Sequence, residues 1–217
     1  MDQDEIAATR RLRLSPSRAP SFNGNEEFIM EVDVVVHAKA RIIHVLVVVD
    51  TERVKETYGS NPDRLAPTSV SPKHLFMIGA GSRSDIGELK LKARIGDVVS
   101  MTGVSIYNNA DDAVIVYGVH PVARGAVFDR FNPNYVTRMA GVQPDPDSPN
   151  QNGLPAMEKE VNFLSFESKI AAHGVERLDL AFALYTLSDD GQNQEIFGYY
   201  RCDLAIAVER PRSTDDE

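Results

Sequence analysis

Apolar residues recur at every second position along most of this chain, a period that belongs to half-buried β-strands rather than helices. ELKLKARI (88–95) is the cleanest case: Leu89, Leu91, Ala93 and Ile95 face inward, Lys90, Lys92 and Arg94 outward. GVERLDLAFALYTL (174–187) sends Leu178, Leu180, Phe182 and Leu184 inward. FIMEVDVVVH (28–37) sets Met30, Val32, Val34 and Val36 against Glu31, Asp33 and His37. IIHVLVVVD (42–50) is almost continuously apolar, which predicts a strand buried on both faces, with His44 as a hydrogen-bonded core residue. EVNFLSFESKI (160–170) slips phase between Phe163 and Leu164, the mark of a β-bulge. EIFGYY and DLAIAVE close the core after a turn at SDDGQ (188–192).

Helix signals are scarce. DTERVKETYG (50–59) predicts one or two turns, capped by Asp50 and stopped by Gly59. SNPDRLAPTSVSP (60–72) and NPNYVTRMAGVQPDPDSPNQNGLP (132–155) read as long loops rich in Pro, Asn and Asp. Many short strands with turn signals between them predict an all-β fold: an antiparallel β-sandwich, jelly-roll-like, with long loops. Residues 1–26 read as a flexible, disordered N-terminal tail, 27–210 as one sandwich domain, and 211–217 as an acidic C-terminal tail.

Charge and cysteine usage narrow the function. Among 217 residues the net charge is −9, which disfavours nucleic acid and anionic membrane surfaces and leaves neutral ligands, cations and proteins. Cys202 is the only cysteine, so no intrachain disulfide forms and a reducing compartment is expected. The N-terminus is charged and lacks the apolar core of a signal peptide, so a cytoplasmic protein is expected.

Several motif-like stretches fail on inspection. GAGSRSDIG (79–87) has Ser84 where a dinucleotide fingerprint needs glycine, and no helix pattern follows. DPDSPNQNG (145–153) has Asn150 where an EF-hand loop needs glycine and Ala156 where it needs Glu. No histidine pair has a metal-ligand spacing, and Cys202 reads as a small strand residue. No catalytic constellation emerges and no cofactor is implied. A hydrolase would need a nucleophile, a base and an oxyanion site that the sequence does not place together.

One polar cluster survives. VSIYNNADDAVIVYGV (104–119) sets Asn108, Asn109, Asp111 and Asp112 between two apolar runs, and reads first as a hairpin tip whose side chains cap their own turn. Its functional reading is a loop-end site. Carboxylates accept and amides both donate and accept, so Asp50, Asn108, Asn109, Asp111 and Asp112 suit a sugar's vicinal hydroxyls. Tyr107 or Tyr117 would cover the apolar sugar face. Asp111 and Asp112 are also calcium candidates, although strand neighbours point to opposite faces unless a turn intervenes. Joining Asp50 to this site assumes that the end of the 42–50 strand lies beside the 108–113 tip.

HVLVVVDTERVKETY, LFMIGAGSR, GDVVSMTGVSIYNNADDAVIVYGV, NGLPAMEKEVNFLSFESKI and LAFALYTLSDDGQNQEIFGYY together, over about residues 43–208, resemble the PixA/AidA inclusion-body protein family of bacteria. The resemblance implies compact β-sandwich proteins that associate as homodimers and accumulate as inclusions. It also implies quorum-type regulation, host interaction and a carbohydrate-binding role, and no enzymology. It transfers no site residues. This chain departs from the family pattern in its N-terminal extension of about 40 residues and in Arg201 and Cys202 after GYY. Its six methionines do not favour a methionine store. The expectation is a non-enzymatic, glycan-binding homodimer. The alternative is a structural protein that self-assembles into intracellular inclusions.

Overall fold

The computed structural model describes residues 39–79, 82–123 and 125–211. The tail at 1–26, the strand FIMEVDVVVH and residues 212–217 of the acidic tail lie outside the described residues. The chain divides into Met1–Ala40 and Arg41–Glu217, and the fold below belongs to the second unit.

Its strands are β1 (Ile42–Val49), β2 (Thr68–Ser69), β3 (Leu75–Gly79), β4 (Arg83–Asp85), β5 (Glu88–Lys92), β6 (Val98–Ser105), β7 (Ala113–Pro121), β8 (Asn132–Asp145), β9 (Gly153–Lys169), β10 (Gly174–Leu187) and β11 (Gln194–Glu209). One helix, α1 (Thr51–Tyr58), and a 3-10 turn at Pro72–His74 complete the set among the described residues. The first sheet runs β3-β1-β6-β9-β8 and the second β4-β5-β11-β10-β7, with β2 beside β11. The all-β sandwich is as expected, and its sheets are mixed: β1–β6, β5–β11 and β2–β11 are parallel pairs.

The core is aliphatic and lies between the sheets. Val45, Val47 and Met101 enter it from the first sheet, Leu178, Leu180 and Phe182 from the second. The expected inward set of β10 is fully buried, and Leu89, Leu91 and Ala93 follow their alternation. Ile95 does not: after Ala93 the chain turns, and Asp97 accepts from the Arg94 and Arg41 amides. On β11, Tyr200, Cys202, Leu204, Ile206 and Val208 are all buried. Burial pushes the Cys202 thiol up to about 12, which suits packing and not nucleophilic attack.

Four expectations are corrected. First, β1 is buried on one face only: Ile43, Val45, Val47 and Val49 are covered, while His44 is exposed. The outward Leu46 and Val48 are half covered, beside the partly exposed Phe76 and Ile78 of β3. An inner strand is thus apolar on both faces although, among the described residues, only one has a sheet opposite it. Second, residues 132–155 are no loop but most of the long antiparallel β8–β9 hairpin. Pro133 and Pro144 hid it; β8 is the sheet's edge, where a missing donor is tolerated. Third, β9 has no bulge between Phe163 and Leu164, which pair consecutively with Val136 and Tyr135. The register shifts lie further out, between Arg138 and Gly141 and between Gln143 and Asp145. Fourth, β6 and β7 are not a hairpin. β6 pairs with β1 and β9 in the first sheet, β7 with β10 in the second. The segment between them arches across the sandwich. At Gly103 the layers come so close that a Cβ would stand 2.4 Å from Val116 Cγ2.

Candidate functional site

The arch and helix α1 meet at one end of the sandwich. Asp50 caps α1, accepting the Arg53 amide at 3.1 Å. The Ile106 amide donates to Val49 O at 2.9 Å, tying the arch to the end of β1. The Tyr107 hydroxyl donates to Glu52, a bond that pushes the phenol up to about 12. Lys55 places its ammonium 2.7 and 2.8 Å from the two carboxylate oxygens of Asp112. The end of β1 therefore meets the arch at Ile106, and α1 meets it at Tyr107 and Asp112.

Two members of the polar cluster, Asn109 and Asp112, hold the arch. Asn109, with φ +59°, takes the left-handed backbone that asparagine tolerates. Its Oδ1 accepts the amides of Ser105 at 2.9 Å and Val114 at 3.0 Å, joining the last residue of β6 to β7. Ser105 Oγ accepts the Asn109 amide and donates to Asp112 O. Gln194 Nε2 donates to the carbonyls of Asn109, Ala110 and Asp111 from the start of β11.

Asp112 is 2% exposed and turns inward. Burial works to raise its carboxyl, but Lys55 and the hydroxyls of Thr51 and Thr186 outweigh it and hold the group below 3.8. Asp111, the preceding residue, is exposed. The two carboxylates thus diverge. Among the described residues no group of three or more His, Cys, Asp or Glu is placed to hold a metal ion. Of the candidate contacts, Asp50, Asn109 and Asp112 are in use by the fold; Asn108 and Asp111 are exposed and Tyr107 half-exposed. Sequence reasoning missed Lys55, Glu52, Ser105 and Gln194. Nothing local flags Lys55, whose partner is 57 residues away.

Fold and site define a two-sheet β-sandwich with a structurally braced inter-sheet arch. The family model for the PixA inclusion body protein matches residues 41–208. The chain belongs to the PixA inclusion body protein family. A crystal structure of an inclusion body protein (PixA) from Burkholderia cenocepacia J2315 is similar at 28% identity and a TM-score of 0.60, covering 80% of this chain and 99% of that one. Lac15 from a marine microbial metagenome gives 10% identity and a TM-score of 0.21, over 82% of this chain and 35% of that one. The seventh ScaB type I cohesin from Pseudobacteroides cellulosolvens gives 12% and 0.19, over 80% and 98%. No curated protein matches the chain. PixA is not a known enzyme family, and no helix among the described residues is long and apolar enough to cross a membrane.

Proposed function

We propose that this chain is a non-enzymatic protein whose role is self-association, starting from a homodimer, with the β8–β9 hairpin as its assembly element. The observation that carries this reading is the outer part of that hairpin. Among the described residues β9 pairs with β6 only through Phe166–Lys169; further out, β8 and β9 pair only with each other. On this two-stranded arm Tyr135, Met139 and Val142 are 75%, 74% and 75% exposed. A lone two-stranded ribbon is marginally stable, and a long apolar edge is a template for another strand. Two copies of β8 can pair antiparallel about a two-fold axis, an arrangement that needs no second complementary surface. β8 carries one basic residue, Arg138, and one acidic, Asp145, so the pairing avoids the repulsion expected from a chain of charge −9.

Light scattering and sedimentation against concentration test this. The wild type is expected to be at least a dimer at micromolar concentration, and Met139→Lys/Val142→Lys to weaken association at least about tenfold, some 1.4 kcal/mol. A wild type that stays monomeric at about millimolar concentration, where even weak contacts are populated, overturns the reading.

A second reading, carbohydrate binding at the arch end, is supported by the exposed Asn108 and Asp111 beside the half-exposed Tyr107 on a braced loop. A glycan array with and without chelator tests it. No binding in either condition sinks it. Binding is expected to be unaffected by chelator, because Asp112 already holds Lys55.

A further inference from the structure

On the outer face of the second sheet, Asp203 of β11, Asp179 of β10 and His120 of β7 stand directly abreast. Their neighbours Leu178 and Leu180 point into the core, so this row points away from it. Asp179 is the unusual member. Its Oδ1 is buried and accepts no hydrogen bond among the described residues. Its Oδ2 lies 3.7 Å from the Arg201 guanidinium, beyond hydrogen-bond range. Burial pushes its carboxyl up, and Asp203 adds to this against Arg201 and His120.

Further along the same face, β7 carries an extra residue. Ala181 pairs with Gly118 and Phe182 with Val116, so Tyr117 is the bulged residue. Bulges re-aim side chains, and here the Tyr117 ring meets Tyr199 of β11 edge-on, centroids 5.9 Å apart. The strand between them offers only Ala181 and Ala183 on this face, which leaves room for the rings. Arg64 lies over the Tyr117 ring, 5.4 Å from its centre, and its own side chain is exposed. The Tyr117 hydroxyl is buried beneath and has no hydrogen-bond partner among the described residues.

The face therefore joins an unsatisfied carboxylate acceptor, an unsatisfied phenol, cationic donors and two aromatic rings. A divalent cation does not suit it, because Arg177 already pairs with Asp203 at 3.1 Å and Arg201 sits beside Asp179. An anion does not suit it, because two carboxylates stand in the row. A neutral polyhydroxylated ligand does: its hydroxyls donate to Asp179 and accept from Arg201 or His120, and its carbon face packs on a tyrosine. We infer that the outer face of the second sheet, around Asp179, Tyr117 and Tyr199, is a binding site for a neutral saccharide, with Arg64 as its displaceable cover. This rests on the carbohydrate reading above and places its ligand on a different surface.

The test is an array of neutral oligosaccharides probed with the full chain, followed by titration calorimetry with the strongest hit. Asp179→Asn and Tyr117→Phe keep the side-chain shapes, and Asp111→Asn serves as the arch control; thermal melts verify folding. Expected is a loss of at least about tenfold in affinity for Asp179→Asn and Tyr117→Phe, with Asp111→Asn within about twofold of wild type. If Asp111→Asn loses binding while the other two retain it, this inference falls and the carbohydrate reading stands at the arch. If the wild type binds no saccharide, both fall.

Discussion

Replacing Lys55 with Met is expected to destabilise the fold by about 3 kcal/mol, the low end for removing one partner of a buried ion pair. Lys55 is part exposed and Asp112 almost wholly buried, so the loss falls on a carboxylate left without its counter-charge. Chemical denaturation at neutral pH measures it. Lys55→Met/Asp112→Asn is expected to recover much of the loss, because the buried side chain left behind then carries no charge. The pH profile gives a second signature. In the wild type the Asp112 carboxyl lies below 3.8 when folded, so its stabilisation is complete above that value and is withdrawn as pH falls through the folded value. Without Lys55, burial dominates and raises the carboxyl. The sign then reverses, and Lys55→Met gains stability as acid neutralises Asp112. A variant within about 0.5 kcal/mol of wild type would show that the ion pair does not brace the arch.

Gly103→Val is expected to cost at least about 2 kcal/mol, because its side chain must enter space already filled by Val116. The measurement is again an unfolding midpoint, paired with Val116→Ala in a double-mutant cycle. Relief by Val116→Ala is the outcome expected of two layers packed face to face. Were β6 and β7 neighbours in one sheet, a β-branched residue at 103 would raise strand propensity and leave stability unchanged or improved. The sign of the effect therefore separates an arch from a hairpin.

That distinction was invisible in the sequence. Two apolar runs around a polar, turn-forming tip look the same whether the strands pair with each other or diverge into separate sheets. What decides it is the parallel pairing of Ile42–Val49 with Val98–Ser105, a contact across more than fifty residues that local pattern does not carry. Segments with one buried face were legible: Leu89, Leu91 and Ala93, and Leu178 through Leu184, are where their alternation puts them. The β8–β9 arm was not. Neither of its faces is buried, so no period appears, and its edge prolines read as loop. The candidate site divides along the same line. Asp50 as a helix cap follows from neighbouring residues. Asn109 bridging two strand ends, Gln194 gripping three carbonyls and Lys55 meeting Asp112 are tertiary pairings with no local mark.

The order of strands in the second sheet also governs how this chain is made. β11 is the last described strand to leave the ribosome, yet it lies inside its sheet, between β10 on one side and β5 and β2 on the other. Until it arrives, β5 has no route to β10, and the sheet waits in two pieces with apolar faces open. Folding of that half is gated by the arrival of β11 rather than growing outward from the start. A premature stop before Gln194 would remove the seam that joins those pieces instead of fraying an edge. The shortened chain is expected to lose the cooperative thermal unfolding transition, while one ending after Arg210 keeps it.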